Sequence, residues 1–233
     1  MIRTAFILIF ILYGLNIFCQ NIETDRIWIG SKRINNYEAD STFHSDTTDF
    51  LSSVLIFEDK QIFLLTFISD YNGYITTIDT LKTNYTLENN KFFGLINNDT
   101  LAGKIYKGKI YLKIGDKKAS VVLTFLNPKN IFGNNKMDKQ EIIDILISKK
   151  WNTKVNRNEI SEEFLVDNKY KISTNDNTQR WDVYKISDFV FIVTNDFMFG
   201  PYIRLLTKIS KDNIDFLIFK DENIEKYNMK LSK

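Results

Sequence analysis

The chain has 233 residues, 44% hydrophobic and 14% aromatic, with 31 basic against 29 acidic side chains for a net charge of +2. Charges so nearly balanced, and interspersed along the chain, exclude the concentrated basic field that nucleic acid or an anionic membrane surface demands. A single cysteine excludes a disulfide framework, so stability must come from packing.

The first feature in chain order is a leader. Arg3 precedes an apolar run from Ala5 to Phe18, and Cys19-Gln20 marks the return to ordinary polar sequence. A positive start, an apolar stretch short of the ~20 residues a spanning helix needs, and a small residue before a polar one predict a secretory signal over residues 1–19. The expected product is exported, periplasmic or secreted. Two alternatives stay open: a lipoprotein acylated at Cys19, against which bulky Phe18 counts, and an uncleaved anchor, against which Gly14 and Asn16 count. Only these two would make the membrane a partner. Cleavage removes Arg3 and leaves 30 basic against 29 acidic residues.

From Arg26 the dominant signal is period-two alternation in short bursts, which predicts an all-β, mainly antiparallel fold of barrel-like or sandwich domains. The stretch from Lys109 to Ile114 shows it best, with Ile110, Leu112 and Ile114 on one face and Lys109, Tyr111 and Lys113 on the other. Lys107-Gly108 before it fits a two-residue hairpin turn. Similar turn chemistry recurs at Glu58-Asp59-Lys60, Asn72-Gly73, Asn89-Asn90, Asn97-Asn98 and Gly115-Asp116. Expected strands cover 26–34, 51–57, 62–68, 74–79, 83–87, 92–97, 101–106, 109–114 and 119–126, with 35–49 a polar insert.

Pro128, Gly133 and a run of asparagines then break the pattern, setting a linker at 128–136 between a first β domain over 20–127 and a second over 137–233. The one expected helix, near 138–149, opens the second. Asp138 is its N-cap, Glu141 completes a capping box, Met137 and Ile142 form a hydrophobic staple, and Lys149 and Lys150 suit its C-terminal end. Strands follow at 150–155, 163–166, 170–173, 179–186, 189–194, 202–209 and 214–219. The continuous run from Phe189 to Val193 predicts a strand covered on both faces. The tail from Asp221 fits either a helix or a strand.

The halves echo each other. Each opens on a strand-borne tryptophan, Trp28 in Ile27-Trp28-Ile29 and Trp151 in Lys150-Trp151-Asn152, and each then presents a similar hairpin, Asp59-Lys60-Gln61 and Asp167-Asn168-Lys169. Their spacings differ, so a tandem pair competes with one larger β domain. A strand-borne Trp followed by a meander with Asx-Lys and Asx-Gly hairpins resembles the small lipocalin-like domains of exported bacterial proteins. The glycine that stands two residues before that Trp is replaced here by Arg26 and Lys149. The resemblance implies antiparallel barrels, each with an open mouth and an apolar interior able to hold a small hydrophobic ligand, and it implies that Trp28 and Trp151 pack at closed ends.

Catalytic motifs are scarce. The single histidine, His44, lies in a polar stretch beside Ser45 and Asp46, where adjacency does not supply triad geometry. One histidine and no cysteine beyond the leader exclude the usual zinc sites, so no metal or cofactor is expected. Glu58-Asp59, Glu162-Glu163 and Asp221-Glu222 are paired carboxylates of the kind a glycosidase uses, but each pair fits an exposed turn or strand end. Asp70 to Gly73 and Asn175 to Asn177 lack the acid pattern of a calcium loop. The remaining candidates are apolar: Phe197 and Phe199 before the Gly200-Pro201 turn, with Tyr202 beyond it and Trp181 on a strand, as the lip of a ligand-binding mouth or as core caps.

These features rank a non-catalytic exported module binding a small apolar ligand or an envelope partner first. A structural or protein-interaction component of the bacterial cell envelope comes second, and a carboxylate-based hydrolase third.

Overall fold

A computed structural model describes residues 27–39, 42–49, 52–69, 75–96, 99–115, 119–128, 137–147, 149–155, 158–186, 188–196 and 200–232. The leader with Cys19, most of the linker, the Asn72-Gly73 and Asn97-Asn98 turns, and Phe197 and Phe199 lie outside them.

The protein is all-β, with antiparallel strands wound into two barrels. The first contains β1 (Ile27–Ala39), β2 (Thr42–Asp49), β3 (Ser53–Glu58), β4 (Gln61–Ser69), β5 (Ile75–Asn84), β6 (Thr86–Glu88), β7 (Lys91–Ile96), β8 (Asp99–Tyr106), β9 (Lys109–Gly115) and β10 (Ala119–Leu126). A single helix, α1 (Lys139–Leu146), leads into the second, which is closed in the order β11 (Lys149–Val155), β12 (Asn158–Phe164), β13 (Lys169–Ile172), β14 (Asn175–Ile186), β15 (Phe189–Asp196), β16 (Gly200–Ile209), β17 (Asn213–Lys220) and β18 (Asn223–Leu231). No helix among the described residues is long and apolar enough to cross a membrane.

Turn chemistry sets the meander. Asp59-Lys60, Asn89-Asn90, Lys107-Gly108, Asp167-Asn168 and Asp221-Glu222 all have both central residues at positive φ. That is the twist that joins right-handed strands through two residues, and Asn, Asp and Gly reach it at least cost. In the first barrel the end strands β5 and β6 are consecutive in the chain. At Tyr85 the chain leaves β4 for β7, with Tyr85 N–H donating to Lys60 O (3.1 Å) and Thr83 Oγ1 to Leu95 O (2.7 Å). The sheet thereby curls back on itself, and its interior is filled by Trp28, Leu55, Phe57, Phe92, Leu101 and Leu112 with their neighbours.

Three segments depart from the sequence expectation. Residues 35–49, expected as an insert, are the outer part of a β1–β2 hairpin. Both its faces are largely wet, so it carries no apolar alternation, and β10 templates it from the other side. The stretches expected at 74–79 and 83–87 are, over the described residues, β5 and β6, which break only at Tyr85. The tail is a strand: Tyr227, Met229 and Leu231 of β18 alternate inward and close the second barrel against β11.

Helix α1 has the expected capping box, Asp138 accepting from Glu141 N–H and Glu141 from Asp138 N–H. Lys149 and Lys150 fall in β11 and leave its last turn without a cation. Ile142 and Leu146 plug one end of the second barrel, and Trp151 Nε1 donates to Leu146 O (3.2 Å), using one of the carbonyls a helix end leaves open. Lys139 pairs with Asp182 of β14 (2.9 Å), fixing the other side of the plug.

The barrels pack flank to flank. Phe191, Val193, Ile203, Leu205, Leu217 and Phe219 point out of the second barrel onto Ile27, Ile29, Val54, Phe67 and Leu126 of the first. Val190 and Ile192 point inward. The continuous apolar run in β15 therefore reports a strand covered on both faces. Glu222, in the β17–β18 turn, reaches Lys109 (2.9 Å) and Lys32 (3.4 Å) across the junction.

Candidate functional site

The second barrel is plugged at one end and open at the other. Trp151, Phe164, Trp181, Val190, Leu206 and Ile214 fill the plugged half with α1. The open half holds a cavity of about 630 Å³, within the usual range for small-molecule sites. Val155, Ile160, Ile172, Phe216 and Ile218 supply its apolar wall, Gln179, Thr194 and Tyr202 its polar wall, and Lys220, Glu225 and Tyr227 stand toward the mouth.

A polar layer forms the floor. Glu162 (3% exposed) and Arg204 (8%) are the buried charged side chains among the described residues. They meet at 2.5 Å through Arg204 Nη1 and Glu162 Oε2. Tyr170 donates its hydroxyl to the same oxygen (2.5 Å), Thr153 Oγ1 donates to Glu162 Oε1 (2.7 Å), and Arg204 Nη2 donates to Tyr170 Oη (2.9 Å). The guanidinium lies between the rings of Phe216 and Tyr170, at 5.3 and 5.7 Å from their centroids.

Burial by itself pushes the Glu162 carboxyl pKa upward. The Arg204 charge and the hydrogen bonds from Tyr170, Arg204 and Thr153 outweigh it and hold the group below the usual carboxylate range. Burial also raises the Tyr170 phenol, and the neighbouring Glu162 charge adds to the rise, against an opposing pull from Arg204. Burial disfavours the Arg204 cation, yet Glu162 and Tyr170 more than offset this and raise its pKa. The layer is a neutral ion pair with a neutral phenol, with one polar atom left over: Arg204 Nε is buried with no hydrogen-bond partner in the protein.

The two barrels place different residues on equivalent positions. Trp28 faces Leu55, which faces Leu64; Trp151 faces Glu162, which faces Ile172. Ile62 and Tyr170 each stand second after the hairpin turns at Lys60 and Asn168. Leu101 faces Gly94, four residues past Asn90, and Arg204 faces Ile192, four past Asp188. Leu55, Ile62 and Leu101, all core residues of the first barrel, thus correspond to Glu162, Tyr170 and Arg204 in the second.

Of the residues singled out in the sequence, Tyr202 lines the cavity. Trp181 does not: it packs edge-on against Phe164 in the plugged half and donates Nε1–H to Leu165 O (3.0 Å). Phe197 and Phe199 lie outside the described residues. Glu162 departs from the exposed strand end expected of the Glu162-Glu163 pair, because it points inward and Glu163 points out. Asp221-Glu222 is a hairpin turn. His44 lies on β2, stacked on Tyr37 (5.2 Å) and bonded to Thr42 (2.9 Å), while Asp46 accepts from Tyr37, so no triad forms there.

Sequence reading missed Arg204. The available signal was its position inside Ile203-Arg204-Leu205-Leu206, a strand apolar on both faces, where a cation has no route to water. No protein-family model matches this chain, and no match was found among curated proteins.

Proposed function

We propose that the protein is an exported, non-catalytic module that takes one small, largely apolar ligand into the open half of its second barrel. The observation that carries this reading is the contrast between interiors, one filled by leucines and aromatics and the other holding about 630 Å³ above a polar floor. An interior kept hollow forgoes packing energy that a filled one would supply, and a binding site is the usual reason for such a concession. The eight-stranded closed meander plugged at one end also supports the lipocalin-like resemblance. The non-catalytic reading rests on the two acids that line the cavity among the described residues: Glu162 accepts from three donors, Arg204 among them, and Glu225 accepts from Tyr227.

Titrating the full chain with the neutral dye N-phenyl-1-naphthylamine tests the reading. Saturable uptake at one dye per chain is expected, weakened by Ile218→Trp, which intrudes on the cavity. A linear, unsaturable signal overturns it. Export rests on the leader, and N-terminal sequencing from the native host tests it: a chain beginning at Met1 counts against cleavage.

One observation favours a second reading, an interaction component of the envelope. Phe93 and Leu95 (67% exposed) share the outer face of β7 beside a shallow depression with Thr83, Asn84 and Thr100. Crosslinking in envelope fractions with Phe93→Ser/Leu95→Ser as control tests it, and identical crosslinks from both proteins reject it.

A further inference from the structure

Resting on the barrel-binding reading, we infer that the ligand carries a carboxamide, an uncharged group that both donates and accepts hydrogen bonds, and that Gln179 and Thr194 on the cavity wall read it. Alternation aims both side chains inward: Gln179 stands two residues from Trp181 on β14 and Thr194 two from Ile192 on β15, and Trp181 and Ile192 point into the barrel. Both residues line the cavity and both are buried, at 8% and 4% exposure. Among the described residues neither side chain has a hydrogen-bond partner, yet their polar atoms are not shut off from open space as Arg204 Nε is, so they front the cavity itself.

The register brings the two side chains to one place. Thr194 faces Trp181 across β14 and β15, so Gln179 is its diagonal neighbour, about 7–8 Å away at the backbone. Tyr202 faces Thr194 across β15 and β16 and extends the same polar strip. A glutamine side chain ends in one carbonyl acceptor and two N–H donors in a single plane, and a threonine hydroxyl both donates and accepts. A ligand group with acceptors alone, such as a ketone, an ester or a carboxylate, strips water from Gln179 Oε1 and returns no donor to it. A primary carboxamide returns both bonds at once: its carbonyl accepts from Gln179 Nε2–H and its N–H donates to Oε1, with the Thr194 hydroxyl beside them. The pairing is neutral, so charge at the mouth does not enter it. The apolar wall of Val155, Ile160, Ile172 and Ile218 then suits an aliphatic or alicyclic body behind the amide.

The test displaces N-phenyl-1-naphthylamine from the full chain with decanamide and with decan-2-one, both neutral and matched in carbon count. A merely apolar cavity favours the ketone, because the amide gives up more hydration on entry. The inference expects the reverse, decanamide tighter by about fivefold, the worth of one added hydrogen bond. Gln179→Leu and Thr194→Val remove the polar atoms and keep much of the shape; the preference is expected to pass to the ketone in the first and to shrink in the second. A ketone that binds the unaltered chain as tightly as the amide overturns the inference, while its dye uptake leaves the barrel-binding reading standing. Absence of any dye uptake overturns both. An unchanged amide-to-ketone ratio in folded Gln179→Leu also overturns the inference. If that variant fails to fold, an unchanged ratio in Thr194→Val does so, and if neither folds the ranking in the unaltered chain decides alone.

Discussion

Replacing the polar floor with the residues of the first barrel is the most direct test of how the second is built. Arg204→Leu alone leaves Glu162 buried between Thr153 and Tyr170 with its cation gone. Removing one partner of a buried ion pair costs about 3–5 kcal/mol, or on the order of 10 °C in melting temperature for a chain of this size. The triple variant Glu162→Leu/Tyr170→Phe/Arg204→Leu copies the apolar character of Leu55, Ile62 and Leu101, and exchange of a whole buried ion pair for packed hydrophobics is neutral or stabilising by about 1–4 kcal/mol. The Thr153 hydroxyl, left without Glu162, takes back about 1 kcal/mol. Urea denaturation followed by tryptophan fluorescence reads both, since Trp151 and Trp181 lie in the plugged half. The pH dependence supplies an independent sign. In the unaltered chain Glu162 has a lowered pKa, so its contribution is present above the usual carboxylate range and is lost as pH falls through the depressed value. In Arg204→Leu the same carboxyl, buried without its cation, is raised, so that variant is most stable in acid and loses stability as pH rises. A triple variant as unstable as the single, or a single variant with no reversal in pH dependence, refutes the reasoning.

Three further outcomes follow from the geometry. Gly103→Ala places a Cβ 1.9 Å from Phe92 Cζ, an overpacking expected to cost about 1–3 kcal/mol, and Phe92→Leu should restore part of the loss in chemical denaturation; additive losses would refute this. Glu222→Gln removes the Lys109 and Lys32 contacts between the barrels, at a cost of about 0–1 kcal/mol. That difference should vanish at 1 M salt and on acidification below the lowered Glu222 pKa, and persistence at high salt would deny its electrostatic origin. The hydrogen bond to Glu225, with burial and the Glu225 charge adding to it, pushes the Tyr227 phenol up to about 12; in Glu225→Gln, ultraviolet titration should find one tyrosine moved back toward 10, and no change would break the assignment.

What the sequence made legible was local. Asn89-Asn90 and Lys107-Gly108 declare their hairpins because few residues tolerate positive φ, and Asp138 with Glu141 declares the helix start because the capping box closes within four residues. The doubly covered strand was legible from Phe189 to Val193. The floor was not, because it is assembled from β11, β12, β13 and β16, and the cation that completes it comes from a strand far along the chain from Glu162 and Tyr170. Glu162 was hidden by its setting: Glu159 and Glu163 flank it, and an acid in an acidic stretch reads as wet surface until the register points it inward. The polar hairpin of β1 and β2 was hidden for the opposite reason, as a strand with neither face buried leaves no alternation to read.

The covering of the second barrel on one flank has a mechanical consequence. Strands β15, β16 and β17 are backed by the apolar junction with the first barrel, whereas β11 and β18 lie away from it and are joined through Trp151 with Leu231, Asn152 with Lys230 and Thr153 with Met229, and through Ser232 N–H donating to Lys150 O (2.8 Å). Beyond Thr153 that seam borders a surface groove which shares Tyr227 with the cavity. The second barrel is thus backed on one side and unbacked on the other, and amide hydrogen exchange should be faster in the short β11–β18 and β12–β13 seams than across β15, β16 and β17.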